Sequence, residues 1–282
     1  MENQGSNPLS KYFRQPAIYL KLPSQGRWWA ANSLDLPSNQ EVAIFPMSAK
    51  DEILLKTPDA LLNGQGVVDV IHSCCPCVKN AWAMPSVDID AVLISIRIAT
   101  YGNKMDFHSD CPHCNHRNMH EIDLGNILAQ ISCPEFNIPV QYHDLKIKLK
   151  PQSYLSMNRN NMIRFHEDKI MMALNDAELD PDQKASHLAE AVEKLVEIGI
   201  NSCTDSTEYI ELQDGTRVSQ SEHIHEFYKN AESEVIKSMQ ARIEELSQQA
   251  QPKTLDLSCE NCGEPYKTNL LFDYSNFFGK GF

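Results

Sequence analysis

The chain has 282 residues, 42% hydrophobic and 22% charged, which is the composition of an ordinary globular protein with room for one large domain or two smaller ones. It contains no apolar run long enough to cross a bilayer, and residues 1–6 lack the features of a secretion signal. We therefore expect no membrane contact and a reducing cytoplasm around its nine cysteines. The net charge of −13 disfavours nucleic-acid binding, which needs clustered Lys and Arg.

Two short extended segments come first in the chain. Residues 18–22 and 34–36 are each directly followed by a proline, which keeps the backbone before it out of helical geometry. They are predicted as strands or arms. Between them, Trp28-Trp29 either covers the protein's own core or anchors a partner, because Trp is favoured at the centres of interfaces.

Four helical segments are predicted next, from capping residues and apolar spacing. The segments begin at the capping pair Ser48 and Asp51, at Thr57-Pro58, at residue 67 and at Ser86. The last segment, over residues 87–101, is apolar on nearly all sides, which predicts a buried helix. Its many β-branched residues leave a strand as the alternative.

Alternating apolar and polar residues follow on both sides of a Cys-x-x-Cys sequence, Cys111 to Cys114, which predicts a β-hairpin with the cysteines at its tip. Residues 140–150 also alternate and are predicted as one half-buried strand. The same pattern returns near the end of the chain, where short alternating runs flank Cys259 and Cys262. Residues 271–282 are rich in aromatic residues and either dock on the protein itself or insert into a neighbour.

The negative charge is concentrated between the two cysteine pairs. Residues 151–250 hold 19 acidic and 9 basic residues, whereas residues 1–150 hold 15 and 13. The apolar spacing predicts mostly helices here, so we interpret the segment as an acidic helical insertion in a nearly neutral frame. The charges either steer a basic partner or simply solvate exposed helix faces.

Three elements are predicted inside this acidic segment. A helix begins at Asp180-Pro181, and Asp214-Gly215 predicts a tight hairpin. A stripe of apolar residues in steps of three and four predicts one long helix over residues 220–249. The residues predicted to share one face of the first helix are Leu188, Val192, Leu195 and Val196.

The two cysteine pairs predict one metal site. A Cys-x-x-Cys turn directs two thiolates at one ion, and two such turns complete a tetrahedral shell. The predicted ligands are Cys111, Cys114, Cys259 and Cys262, and the third follows the second by 145 positions. Four thiolates without an open position favour structural zinc over a catalytic metal.

Other chemistry is possible at these cysteines but less well supported. A thioredoxin-type dithiol at Cys111 and Cys114 would need a long helix after it, and polar residues follow instead. The group formed by Cys74, Cys75 and Cys77 lacks a matching pair, and buried or idle thiols are the better interpretation. The histidines near the first hairpin are expected to be surface residues rather than substitute ligands; they are His108, His113, His116 and His120.

No catalytic signature is recognisable in the sequence. It contains no phosphate-binding glycine loop, nucleophile elbow or His-Glu-x-x-His sequence. We therefore expect no enzymatic activity, no cofactor other than zinc and no small-molecule substrate. A binding or assembly role is favoured instead.

The first half of the chain resembles the baseplate hub and hub-assembly proteins of T4-like contractile-tailed bacteriophages. The resemblance covers roughly residues 7–125 and weakens in the acidic segment. It is carried by residues 7–16 (NPLSKYFRQP), 19–24 (YLKLPS), 47–64 (MSAKDEILLKTPDALLNG) and 96–102 (IRIATYG). The resemblance implies a protein that builds the baseplate hub or forms part of it, through contacts with other hub proteins. It implies the host cytoplasm during assembly, with the virion tail baseplate as the alternative final location.

Together these observations predict an α+β protein in three parts: an N-terminal arm and helical domain (1–101), a zinc-ribbon-like β element (102–150 with 252–282), and an acidic helical insertion (151–251). The predicted function is that of a baseplate hub protein or hub-assembly chaperone with a structural zinc. The alternative is a zinc-ribbon adaptor or transcription regulator that binds polymerase or nucleic acid.

Overall fold

A computed structural model describes residues 7–55, 64–176, 181–250 and 254–268. In these ranges the chain mixes helices with four small antiparallel sheets, which confirms the α+β class. Two sequence predictions lie outside the described residues: the helix start at Thr57-Pro58 and the aromatic segment 271–282.

The N-terminal part forms the first hydrophobic core. Its elements are a 3-10 turn (Ser10–Tyr12), β1 (Ile18–Lys21), β2 (Glu41–Ile44), α1 (Ala49–Leu54), α2 (Gln65–Cys74), a second 3-10 turn (Ala81–Ala83) and α3 (Ser86–Tyr101). β1 and β2 pair antiparallel. Most side chains of α3 between Val87 and Arg97 are buried, because the helix is apolar on nearly every side. The prediction of a buried helix is confirmed.

The start of α1 is fixed by the predicted capping box. The Ser48 hydroxyl accepts from the backbone N–H of Asp51, and the Asp51 carboxylate accepts from the N–H of Ser48 at 2.7 Å. Arg14 of the N-terminal arm forms an ion pair with the same carboxylate at 3.2 Å. The predicted cap of α3 was wrong by one position: Pro85, which has extended backbone, is the N-cap residue, and Ser86 is the first residue of the helix.

Both tryptophans lie against the protein's own core. Trp29 packs on the first core and donates its indole N–H to the buried carboxylate of Asp88 at 2.9 Å. Trp28 packs edge-to-face on Phe136 of a second core, with ring centroids 5.2 Å apart. Of the two interpretations of this pair, core covering is the one that the structure supports.

The remaining elements build the two hairpins near the cysteines, a short helix that packs into the first core, and the second core. They are β3 (Lys104–Asp110), β4 (Arg117–Asp123), α4 (Leu124–Leu128), β5 (Val140–Tyr142), β6 (Leu145–Leu149), α5 (Tyr154–Asp176), α6 (Pro181–Asp205), β7 (Thr207–Glu211), β8 (Arg217–Val218), α7 (Ser221–Asn230), α8 (Ser233–Ala250), β9 (Leu255–Ser258) and β10 (Pro265–Thr268). Strands β5 to β8 form one antiparallel sheet in chain order, with α5 and α6 inserted between β6 and β7.

Two predicted elements of this half are each divided in the structure. The single strand predicted over residues 140–150 is a hairpin, β5 and β6, because the chain turns at His143, whose φ is +50°. The helix predicted over residues 220–249 is interrupted at Ala231, which has extended backbone, so α7 and α8 are separate. The Asp214-Gly215 turn is confirmed, with Gly215 at a φ of +83° between β7 and β8.

The three-part division of the chain stays a prediction. Strand β6, on one side of the predicted boundary at residue 150, pairs antiparallel with β7 on the other side. The second core likewise combines Leu149 with Ile210, Tyr228 and Met239. The acidic segment is therefore joined to the frame by a sheet and a shared core.

Candidate metal centre

Both Cys-x-x-Cys sequences lie at the tips of antiparallel hairpins, as predicted. β3 and β4 pair over their full length, from Lys104 with Asp123 to Asp110 with Arg117. β9 and β10 pair from Leu255 with Thr268 to Ser258 with Pro265. Each tip therefore begins and ends at a paired strand position, and this rigid base determines where its two thiols point.

The two tips have matching backbone geometry. The N–H of Cys111 donates to the carbonyl of His116 at 2.9 Å, and the N–H of Cys259 donates to Glu264 at 3.0 Å. In each tip the residue four positions after the first cysteine has positive φ: Asn115 at +54° and Gly263 at +75°. Asn and Gly are the residues that adopt this conformation at least cost, so the local sequence suits the turn.

The tips face each other and bring four thiols together. All four sulfurs lie within 4.8 Å of one another, with 3.8 Å between Sγ of Cys111 and Cys262 and 3.6 Å between Sγ of Cys114 and Cys259. These distances are too long for a disulfide, whose sulfurs are about 2.05 Å apart. They match the edge of a tetrahedron with metal–sulfur bonds of about 2.3 Å, which is about 3.8 Å. The group could hold a metal ion.

Hydrogen bonds between the hairpins hold the tips in this arrangement. The side chain of Asn118, on β4, accepts from the backbone N–H of Glu260 at 2.8 Å. The hydroxyl of Tyr266, on β10, lies 2.6 Å from the hydroxyl of Ser109 and 3.1 Å from Nε2 of His120. Tyr266 also packs beside Cys111 and Cys259 in a small buried cluster. Neither Asn118 nor Tyr266 was predicted, since nothing in a single hairpin sequence shows which side chains reach the other hairpin.

The electrostatics of the group favour a cation at its centre. Burial raises the pKa of Cys259, but hydrogen bonds from the backbone of Cys262 and Asn261 and from the thiol of Cys114 outweigh it and lower that pKa to about 6. A backbone hydrogen bond at Glu264 lowers the pKa of Cys262, but burial and the three neighbouring thiols raise it to about 12. The first of these two thiols ionises readily, whereas the second resists ionisation unless a metal ion neutralises both thiolates.

The other cysteines lie elsewhere and are poor ligands. Burial raises the pKa of Cys74 and of Cys203 to about 12, which keeps both thiols protonated. Within the described residues, the four-cysteine group is the only cluster of His, Cys, Asp or Glu with metal-binding geometry, and none of the hairpin histidines belongs to it. Strand β4, not a helix, follows Cys114, so the context of a thioredoxin-type dithiol is missing.

The fold and the site thus define an α+β protein in which two distant hairpins form a ribbon-like centre of four thiols. Residues 30–279 match the sequence model of a family described as T4 bacteriophage base plate protein. This match covers most of the chain, and the protein belongs to that family. The match also extends the resemblance found in residues 7–125 through the acidic segment to the second cysteine pair.

No curated protein and no solved structure matched the chain. In the part of the chain that the structure describes, none of the helices combines the length and the hydrophobicity that spanning a bilayer requires.

Proposed function

We propose that this phage baseplate protein is a hub component or a hub-assembly chaperone, acting through contacts with other hub proteins and without catalysis. The observation that carries the proposal is the four-thiol centre, found in a chain that belongs to a baseplate family. A centre with four protein ligands has no open coordination position, so it supports a structural role. Its location would be the host cytoplasm during assembly and then the tail baseplate.

We propose zinc as the metal of this centre. Zinc accepts four thiolates in tetrahedral geometry, and the sulfur separations of 3.6 and 3.8 Å suit that geometry. Binding of structural zinc contributes on the order of 10 kcal/mol to the folding of small zinc modules. In this protein the ion would join hairpins that are far apart in sequence, and so fix the second hairpin against the first.

The charges around the tips support assembly over the alternative of a nucleic-acid or polymerase adaptor. The acidic residues of the two hairpins include Asp106, Asp110, Glu121, Asp256, Glu260 and Glu264. Two of the nearby cations are already paired: Lys104 with Glu121 at 2.5 Å and Lys267 with Asp256 at 3.4 Å. A surface of this kind repels phosphates.

Two measurements test the proposal. The tagged chain, expressed during infection by its source phage, is expected to co-purify with hub components; capture of no tail protein would contradict the assembly role. Elemental analysis of the purified chain is expected to give one zinc per chain with four thiols protected from alkylation. A metal-free protein with reversibly oxidised Cys111 and Cys114 would contradict the zinc centre and support the dithiol.

A further inference from the structure

A cleft of about 250 Å³ opens where α3, α5, α6 and α8 meet, and none of the residues that line it belongs to the metal centre. Three of the helices supply lining residues in steps of three or four, which is the spacing of one helix face. These residues are Asn160 and Arg164 of α5, Ile198 and Ser202 of α6, and Ile243 and Leu246 of α8. The cleft is therefore a regular feature of the packed helices.

The walls of the cleft are largely apolar. Leu149, Ile198 and Leu246 line it and are each at most 3% exposed, and Val87 and Phe136 add two more buried side chains. A volume of about 250 Å³ lies just below the range of about 300–1,000 Å³ that is usual for small-molecule pockets. The cleft therefore has the size for one large side chain and offers it apolar contact.

One buried polar atom of the cleft has no hydrogen-bond partner in the described part of the chain. It is the side-chain oxygen of Asn160, a residue that is only 7% exposed. By contrast, the amide nitrogen of Gln152 donates to the hydroxyls of Ser202 and Ser206, at 2.7 and 2.9 Å. A buried acceptor without a donor is costly, so Oδ1 of Asn160 is the atom that a ligand would satisfy.

The lining of the cleft fits a neutral group with a large apolar surface and one hydrogen-bond donor. Lys150 and Arg164 line it, but so does Asp90, so neither an anion nor a cation meets only opposite charges. Tryptophan and tyrosine side chains combine a large apolar ring with a single N–H or O–H donor, and both are favoured as anchors of interfaces. The three tryptophans of this chain already pack on its two cores, so an indole for the cleft comes from another molecule.

We infer that the cleft receives a tryptophan or tyrosine side chain of another baseplate protein, which donates its N–H or O–H to Oδ1 of Asn160. The ring would pack against the buried side chains of Ile198 and Leu246. Arg164 and Ser247 line the cleft and are exposed, so they mark the mouth through which the side chain enters. That the partner is a baseplate protein rests on the proposed function.

Two pairs of small probes test the chemistry of the cleft. Indole and p-cresol carry the ring and the donor, whereas benzothiophene and p-xylene have nearly the same shapes without a donor. Titration of the full-length protein, followed by ligand-observed NMR, is expected to give about tenfold tighter binding of at least one donor probe than of its isostere. Equal affinities within both pairs, or no binding of either donor probe, would overturn the inference.

The substitution Asn160→Leu removes the acceptor but nearly keeps the side-chain volume, and leucine is a good helix former. The isostere without a donor is expected to bind this variant at least as tightly as it binds the unsubstituted protein, which shows that the cleft is intact. The donor probe is expected to lose its advantage over the isostere. A preference for the donor that survives the substitution would contradict Asn160 as the acceptor.

A matched pair of substitutions on α8 locates the binding. Ser247 lines the cleft at its exposed edge, so Ser247→Trp is expected to block the cleft and to reduce probe affinity at least about tenfold. Ser238 is also exposed on α8 but does not line the cleft, so Ser238→Trp is expected to leave the affinity unchanged. Equal affinities of the two variants would contradict a site in this cleft.

Co-purification with the same two variants tests the partner. Ser247→Trp is expected to lose a hub protein that the unsubstituted chain and Ser238→Trp both retain. If Ser247→Trp retains every tail protein, the cleft is not an anchor site and the assembly role stands. If the probes bind as expected but no tail protein co-purifies with the unsubstituted chain, the assembly role and the baseplate partner are both wrong. A small molecule that native mass spectrometry finds on the purified chain, and that indole displaces, would replace the side chain by a free ligand.

Discussion

The side-chain oxygen of Asn118 accepts a hydrogen bond from the backbone N–H of Glu260 at 2.8 Å, although 142 positions separate the two residues. The amide nitrogen of Asn118 donates to the carbonyl of His116 in its own hairpin tip at 3.1 Å, and the residue is fully buried. One amide therefore supports both tips, so the approach of the two hairpins does not depend on a metal alone.

Substitution of Asn118 is expected to weaken the centre, because its side chain is hydrogen-bonded to both tips. Asn118→Ala leaves the N–H of Glu260 without its acceptor, at an expected cost of about 1–3 kcal/mol in the free energy of unfolding, and is expected to lower zinc affinity at least about tenfold. Urea unfolding and competition with a chelator measure the two effects. His113→Ala, at an exposed position of the first tip and outside the four-cysteine group, is the control and is expected to change neither; equal effects would contradict the bridging role.

Loss of one thiol is expected to remove the metal. Cys259→Ser replaces a thiol whose pKa is lowered to about 6 by a poor zinc ligand, so the zinc content is expected to fall from one per chain to near zero and the melting temperature to decrease. A chelator is expected to produce the same decrease in the unsubstituted protein. Cys133→Ser, outside the group, serves as control. Full zinc content in the Cys259 variant would exclude the four-thiol centre.

Asp51 is expected to make the N-terminal part sensitive to acid. Burial raises the pKa of this carboxyl, but hydrogen bonds from Ser48 and Ser73 and the charge of Arg14 outweigh it and lower the pKa below the ordinary 3.8. A carboxyl with a depressed folded-state pKa contributes stability above its unfolded value, and that contribution is lost as the pH falls through the folded value.

The matching experiment compares the unsubstituted protein with Asp51→Asn. At pH 7 the variant is expected to be less stable by about 1–3 kcal/mol, because the Arg14 charge loses its partner. The difference between the two proteins is expected to shrink as the pH falls below the ordinary 3.8 towards the lowered folded-state pKa of Asp51, where the carboxyl of the folded protein becomes protonated. Urea midpoints at pH 7 and pH 3 measure it, and a difference independent of pH would contradict the role of the Asp51 charge.

The sequence predicts the features that local chemistry decides. The capping box at Ser48 and the turn at Gly215 are each set by a few adjacent residues, and both are confirmed. The paired hairpins could be predicted because the two halves repeat one pattern. The break at Ala231 could not, since its apolar spacing continues that of both neighbouring helices. The exposure of Val192 could not be predicted either, because it depends on which other helices pack along α6.

The positive φ of Gly263 makes this position sensitive to substitution by alanine. A Cβ added at this glycine would meet no atom within 4 Å, so Gly263→Ala is expected to be opposed by backbone conformation alone, at about 1–2 kcal/mol. Gly215, in the turn between β7 and β8, has a similar φ and equally open surroundings, which makes Gly215→Ala the matched control. With zinc removed, both variants are expected to lose similar stability in urea unfolding.

The two glycine variants are expected to differ in their affinity for zinc. Gly263 directly follows Cys262, and its N–H donates to the carbonyl of Cys259 at 2.9 Å, so strain at Gly263 acts on both thiols of the second tip. Gly263→Ala is therefore expected to weaken zinc binding in a chelator competition, whereas Gly215→Ala is expected to leave it unchanged. Equal affinities in the two variants would show that the backbone of the second tip does not orient its thiols for the metal.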